Sequence, residues 1–396
     1  MDDSAITEDK TFLREDQRIS SNDVLQALAS GLPVRLIRCT ISGSLDLNRL
    51  FRPEEGFDLT GLEVHEKAEA HLITFNSPLV FQSCTFESEV FFAPHWDARG
   101  QLKVIFKEDV MFNSSVFTGQ TRFSEARFCK LAGFDGCTFQ RVASFTETVF
   151  EARAMFRTAA FEGYGLFNDA RFTGDIRFTN TSFHKGANYT RVRFENRTDF
   201  SGVYGQSKSV PVHKGVVFAR KRYGDEESFW RFIKQASQEA GYYQDAGECF
   251  YRESCARFWQ KFRGPDYDQL TGGKKLKRWL ASVRLLPELF FGRWLFGYGE
   301  RPTRVLISAL LIVVLCAVFY SSDSGHVVYR ENPNAHFSLI DGLYFSTVTF
   351  TTLGLGDVYP AGGSMLTRLI AGAEAIAGAC LMALFVVTLA KRYSRG

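Results

Sequence analysis

The sequence predicts two folds in one chain of 396 residues: a right-handed quadrilateral β-helix over 32–205, and an α-helical module of two membrane spans with a re-entrant helix over 305–390. Three observations carry this. Aromatic residues recur every eleven positions in two interleaved series between Phe112 and Phe200. Two apolar runs of near-spanning length lie toward the end of the chain, and between them stands Thr352-Leu353-Gly354-Leu355-Gly356-Asp357. Composition is consistent with this: 45% of residues are hydrophobic, and 39 Phe against 5 Trp and 5 Met mark one structural slot filled repeatedly. A net charge of +3 without an aromatic-interleaved basic patch argues against nucleic acid as a partner. The eight Cys form no CxxC pair and have no His at ligand spacing, so they read as free thiols of a reducing compartment.

The first segment, 1–31, opens with Asp2, Asp3, Glu8 and Asp9 and has no basic lead into an apolar run, so no signal peptide is expected. Apolar residues at helical spacing from Asn22 to Ser30, stopped by Gly31, predict a short capping helix. The first aromatic series is Phe112, Phe123, Phe134, Phe145, Phe156, Phe167, Phe178, Tyr189 and Phe200. The second, offset by five, is Phe117, Phe128, Phe139, Phe150, Phe161, Phe172, Phe183 and Phe194. Looser forms of the spacing precede them at Leu36, Ile41 and Leu47 and at Phe75, Phe81, Phe86 and Phe92. Small or β-branched residues such as Ala126, Cys137, Ala143, Ala154, Ala159, Ala170 and Thr181 accompany the aromatics. Alternating steps of five and six fit neither a helix nor a long strand, but they fit a chain that turns a corner every five residues and stacks its coils.

This pattern resembles the pentapeptide-repeat family, whose four-sided β-helix centres each side on Leu or Phe with Ala or Cys two residues before. Some members imitate duplex DNA and bind topoisomerases; the balanced charge and the membrane module argue against that role here.

Residues 224–264 read as a helical hairpin, with Phe229, Trp230, Phe232, Ile233 and Ala236 on one face, expected to cap the open end of the solenoid. The 265–304 stretch is a linker followed by an interfacial amphipathic segment. There Lys274, Lys275, Lys277, Arg278 and Arg284 alternate with Trp279, Leu280 and Leu286, which suits anionic headgroups.

Val305–Tyr320 and Leu369–Ala390 are the spans. Arg301 and Arg304 before the first, and Lys391, Arg392 and Arg395 in the basic 391–396 tail, put both termini in the cytoplasm of a bacterial inner membrane. Between them, Ser338–Phe350 is a short apolar helix that leads directly into the glycine-bearing strand. Extended backbone survives in hydrocarbon only where it lines a cavity. Four copies of Thr352, Leu353, Gly354 and Leu355 about an axis would aim carbonyls, closed by the Thr352 hydroxyl, at a dehydrated cation.

The arrangement resembles the potassium-channel pore family, with its Thr-Val-Gly-Tyr-Gly-Asp filter. The resemblance implies that Thr352 takes the hydroxyl position, Leu353 the Val, Gly354 and Gly356 the glycines, Leu355 the aromatic and Asp357 the outer-mouth carboxylate. Leu355, expected to pack on Phe345, Val348 or Phe350, departs from the usual aromatic; selectivity is expected to rest on it more than on Asp357. Gly378 stands where the family carries an inner-helix hinge glycine, with close helix packing the competing reading. Glu374, the carboxylate of the second span, is a support or gating candidate, expected to meet Thr347, Thr349 or filter backbone.

The expected function is a homotetrameric, potassium-selective channel without cofactor, with potassium as the permeant ligand. Its solenoid would regulate it or meet a cytoplasmic protein, and lipids would surround its spans. No nucleophile-base pair, metal cluster or voltage sensor argues for another activity. The alternatives are a membrane-anchored interaction scaffold with a non-conducting pore, or a weakly selective monovalent cation channel.

Overall fold

A computed structural model describes residues 11–67, 70–94, 102–205, 211–219, 223–264, 270–322, 325–333, 335–361 and 364–393. Asp2, Asp3, Glu8, Asp9, the first linker residues and Arg395 lie outside them. The chain divides into two compact units, 1–260 and 261–396.

Four parallel sheets make the first unit, three of eight strands and one of six. Their register advances by 22 residues: Val110 pairs with Ala132, Ala132 with Ala154, Ala154 with Ile176 and Ile176 with Thr198. One coil is therefore 22 residues on four sides, and the eleven-residue period is half a coil. Residues two coil-sides apart face each other, while residues one coil apart stack. Phe134 lies 4.9 Å from Phe156, Phe156 5.1 Å from Phe178 and Phe178 4.9 Å from Phe200, all near-parallel. These separations match the spacing of neighbouring strands, so ladder hydrogen bonds and ring stacking share one repeat. Between columns the rings meet edge-on, as Phe145 does Phe156 at 88°. All seventeen expected aromatics are buried, as are Ala126, Cys137, Ala143, Ala154, Ala159, Ala170 and Thr181.

The ladders run beyond the 32–205 expected. Phe12–Glu15 and Arg18–Ser20 pair in parallel with Val34–Ile37 and Thr40–Ser42, so helix α1 (Ser21–Ala29) lies within the first coil rather than ahead of it. At the other end Val217–Phe218 pairs with Arg193–Phe194. These flanking strands are short and hold at most one aromatic, so they carry no period. An antiparallel hairpin, Glu63–Lys67 against Ala70–Phe75, interrupts the coil and explains the gap in the early spacing.

Two consequences are measurable on residues 1–260. Phe156→Ala leaves a void in a closed column and is expected to destabilise by about 3–5 kcal/mol in thermal unfolding. Tyr189 fills a slot that is otherwise Phe, and its buried hydroxyl has no hydrogen-bond partner among the described residues. Tyr189→Phe is expected to stabilise by about 1–3 kcal/mol, the cost of burying an unsatisfied hydroxyl. An unchanged or lower melting temperature would place a partner on that oxygen.

Helices α2 (Tyr223–Glu239) and α3 (Tyr243–Arg263) form the hairpin. Phe229 meets Phe200 edge-on at 5.0 Å and Phe232 stacks on it at 6.1 Å, so α2 closes the last coil. The open strand edge is quenched as well: Asp225 accepts from the Thr198 N–H at 2.9 Å and Ser228 from the Phe200 N–H. Across the hairpin, buried Glu253 receives Lys234 at 2.7 Å, with Arg231 and Arg257 on its other oxygen. Burial opposes the Glu253 charge, but the Lys234 hydrogen bond and the surrounding cations outweigh it and hold the carboxyl below its ordinary value. Its contribution is therefore complete above the unfolded value of about 4.3 and lost as pH falls through the lower folded one. Acid unfolding of residues 1–260 is expected to shallow in Glu253→Gln over that window; identical acid limbs would rule this out.

In the second unit α4 (Gly273–Ser282) precedes a π-helical stretch, Glu288–Leu295, and Trp279, Leu280, Phe290 and Trp294 stand exposed. Helices α5 (Pro302–Tyr320) and α7 (Met365–Tyr393) are apolar and long enough to cross a membrane, and α6 (Leu339–Phe350) lies between them in sequence and packs on both.

Candidate functional site: the pore loop

Ser338 starts α6 with a capping box. Its side chain accepts from the Asp341 N–H, while the Asp341 carboxylate accepts from the Ser338 N–H at 2.8 Å. At its other end the carbonyls of Thr347, Val348 and Thr349 accept from the N–H groups of Thr351, Leu353 and Thr352, and the helix dipole places a partial negative charge beside Thr351 and Thr352. Gly342 brings α6 against α5: a Cβ there would stand 2.5 Å from the Ala317 carbonyl oxygen.

Beyond α6 the backbone alternates. Thr352, Gly354 and Gly356 have φ of 57°, 58° and 76°, while Leu353 and Leu355 between them are not in the left-handed region. Positive φ at every second residue is the backbone habit that a filter strand needs if its carbonyls are to line one edge. Added Cβ atoms at Gly354 and Gly356 would meet nothing within 4 Å in the chain, so it is the dihedral and not crowding that calls for glycine there. A β-branched Thr352 in the same region is a strained residue.

Leu353 and Leu355 are 67% and 62% exposed. Leu355 belongs to neither of the apolar clusters that hold Phe345 and Phe350 among the described residues. Phe345 instead joins Tyr320, Val327 and Val358, and Phe350 joins Val305 and Leu381, because both rings point toward the helices on which α6 lies. Asp357 is not a free mouth charge: Tyr344 donates to it at 2.7 Å, and its carbonyl accepts from the Arg330 N–H at 2.9 Å. A two-stranded antiparallel ribbon, Val327–Tyr329 with Val358–Pro360, continues that tether.

Glu374, 3% exposed, sits where three helices meet. Its partners are Tyr320 of α5, whose hydroxyl donates at 2.7 Å, and Ser346 of α6. Thr347 and Thr349, the expected partners, lie one and three residues along α6 from the Ser346 that faces α7. Ser346 Oγ also stands 2.9 Å from the Val313 carbonyl, and one hydroxyl proton cannot serve both acceptors. The Ser346 hydroxyl is shared between Glu374 and the backbone of α5. Glu374→Gln keeps a donor and an acceptor there and is expected to leave thermal stability of the detergent-solubilised chain within about 0.5 kcal/mol, whereas Glu374→Ala strands the buried Tyr320 hydroxyl and costs about 1–3 kcal/mol. Equal loss in both would show that the charge matters.

Gly378 faces the end of the pore helix. A Cβ there would lie 1.9 Å from the Phe350 carbonyl oxygen, and α7 continues unbroken through the position. The geometry supports close packing rather than a hinge. Tyr320, Tyr344 and Ser346 were not legible as site residues; a polar group at helical spacing in an apolar helix is the signal that could have found the last two.

Two apolar spans, a capped helix between them and an alternating loop at its C-terminal end define an integral-membrane pore module of the ion-channel type, in the same chain as a parallel β-solenoid. The family model described as Ion channel matches residues 307–395, a family of channels rather than catalysts. A Rhodopseudomonas palustris protein named as a potassium channel protein is 30% identical over 123 residues, covering 30% of this chain and 29% of that one. The rat intermediate conductance calcium-activated potassium channel protein 4 is 28% identical over 126 residues, covering 31% and 28%. The chain thus spans under a third of the length of these relatives. No solved structure matches.

Proposed function

We propose that four copies of the chain assemble about one axis and conduct potassium passively through Thr352–Gly356, with Asp357 at the outer mouth and both termini in the cytoplasm of a bacterial inner membrane. The observation that carries the reading is the alternating backbone from Thr352 to Gly356 at the C-terminal end of a capped helix. One strand offers carbonyls on one side only, so encircling a dehydrated cation requires several strands. The relatives named as potassium channels support the ion, and the basic residues Arg301 and Arg304 support the orientation. The Lys-rich, Trp-bearing α4 is suited to the inner headgroup layer. The solenoid is a regulatory or protein-docking unit on this reading.

Flux from liposomes holding the purified chain tests it, comparing potassium, sodium and lithium, with barium as blocker. Potassium flux blocked by barium, with a tetrameric native mass in detergent, is expected. A sealed pore in intact tetramers would leave the scaffold reading, and equal sodium and potassium flux the weakly selective one.

A further inference from the structure

The six-stranded sheet of the solenoid carries a cavity of about 280 Å³ on its outer face. Three rows build it. Arg122, Ser144 and Leu166 are register partners on successive coils, and the small Ser144 between two long side chains opens the notch. Ser124, Thr146 and Asn168 follow at the same position of each coil, and Glu125 and Glu147 line the next corner.

The two ends have opposite chemistry. At one, Arg122 is half-buried; it donates to the Pro94 carbonyl at 3.3 Å and lies over the Phe91 ring. Burial pulls its pKa down against the opposing charge of Asp46. Exposed arginines on the same solenoid, such as Arg127, Arg157 and Arg191, form ion pairs with Glu151, Asp135 and Asp169 of the adjacent coil. Among the described residues Arg122 has no ion pair of that kind.

Across the floor the hydroxyl protons run one way. Thr146 donates to Asn168 Oδ1 at 3.1 Å, and its single proton is then used. It must accept from Ser144 at 3.1 Å, and Ser144 in turn from Ser124 at 2.8 Å. The far end therefore presents the lone pairs of Ser124 beside two carboxylates and has no proton to offer, so it calls for a donor and a cation.

We propose that this cavity binds a small zwitterionic metabolite whose carboxylate pairs with Arg122 and whose ammonium is held by Ser124, Glu125 and Glu147. Arg122 ends its strand and the chain turns the corner at Glu125, which has positive φ, so the span between the two ends is shorter than the roughly 10 Å of three extended residues, and the two charges of the ligand stand apart within it, as in a dipeptide or an ω-amino acid. The volume is at the small end for ligand sites and excludes nucleotides. The site stands whether or not the pore conducts.

Calorimetric titration of the full chain in detergent tests it, with glycylglycine and 6-aminohexanoate as probes and hexanoate, hexylamine and glycine as controls. Saturable binding of at least one zwitterionic probe is expected, with each control at least tenfold weaker. Arg122→Gln and Ser144→Leu, which fills the notch with the side chain found one coil on, should each weaken binding at least tenfold without lowering the melting temperature. Should Ser144→Leu misfold, Arg122→Gln alone decides. Absence of binding by either probe up to millimolar concentration overturns the proposal, as does binding that survives Arg122→Gln or hexanoate binding as tightly as 6-aminohexanoate.

Discussion

Gly378→Ala is expected to reduce potassium flux at least about tenfold, with the solenoid unaffected. Its new Cβ would lie 1.9 Å from the Phe350 carbonyl, and real Cβ contacts essentially never fall under 3.0 Å. That neighbour is backbone at the end of the pore helix, so no side chain can swing aside, and α6 and α7 must separate by about an ångström. Small residues permit such approaches in membranes, where packing rather than the hydrophobic effect holds helices together. Because Thr351 and Thr352 follow Phe350 directly, the shift is passed to the loop. Liposome flux and native mass together check this: tetramers with lost flux are expected. Unchanged flux would show that the two helices accommodate the methyl without disturbing the loop and would overturn the close-packing reading.

The second large effect is on selectivity. Leu355→Ala is expected to lower the potassium-over-sodium permeability ratio at least about tenfold, equivalent to about 1.4 kcal/mol of discrimination. Asp357→Asn should change it little, because an amide oxygen at that position still accepts the Tyr344 hydroxyl. Leu355 is 62% exposed among the described residues, so on the tetrameric reading a neighbouring subunit completes its cover. Tyr344→Phe removes the tether while keeping the ring and is expected to fall between the two. Reversal potentials under bi-ionic potassium and sodium conditions give the ratio. If Leu355→Ala retained selectivity and Asp357→Asn lost it, control would lie at the tethered mouth and not at the apolar wedge.

The aromatic period was legible because it is the direct trace of a coil: each side of the solenoid needs one large inward residue, and two sides make eleven positions. The spans and the pore helix were legible by length, apolarity and the Ser338 and Asp341 cap. The glycines of the pore loop were legible by conformation, and the structure places positive φ at both. The flanking strands of the solenoid, the Glu63–Phe75 hairpin and the Val327–Tyr329 ribbon were not, since elements of two to six residues that occur once have no period to read.

What the sequence by itself determined is therefore everything that repeats or is local: the coil, the two spans, the capped pore helix and the dihedral demand of the loop. Only the tertiary structure decided which residues meet. Glu374 bonds to Tyr320, 54 positions away, and Ser346, 28 away; Asp357 bonds to Tyr344; Gly378 meets Phe350; and Arg122 stands beside Ser144 of the next coil. The reason is that a period or a cap is a property of neighbours along the chain, whereas a partner is chosen by the rotation of one helix or coil against another. Residue spacing within each element leaves that rotation undetermined until the elements pack.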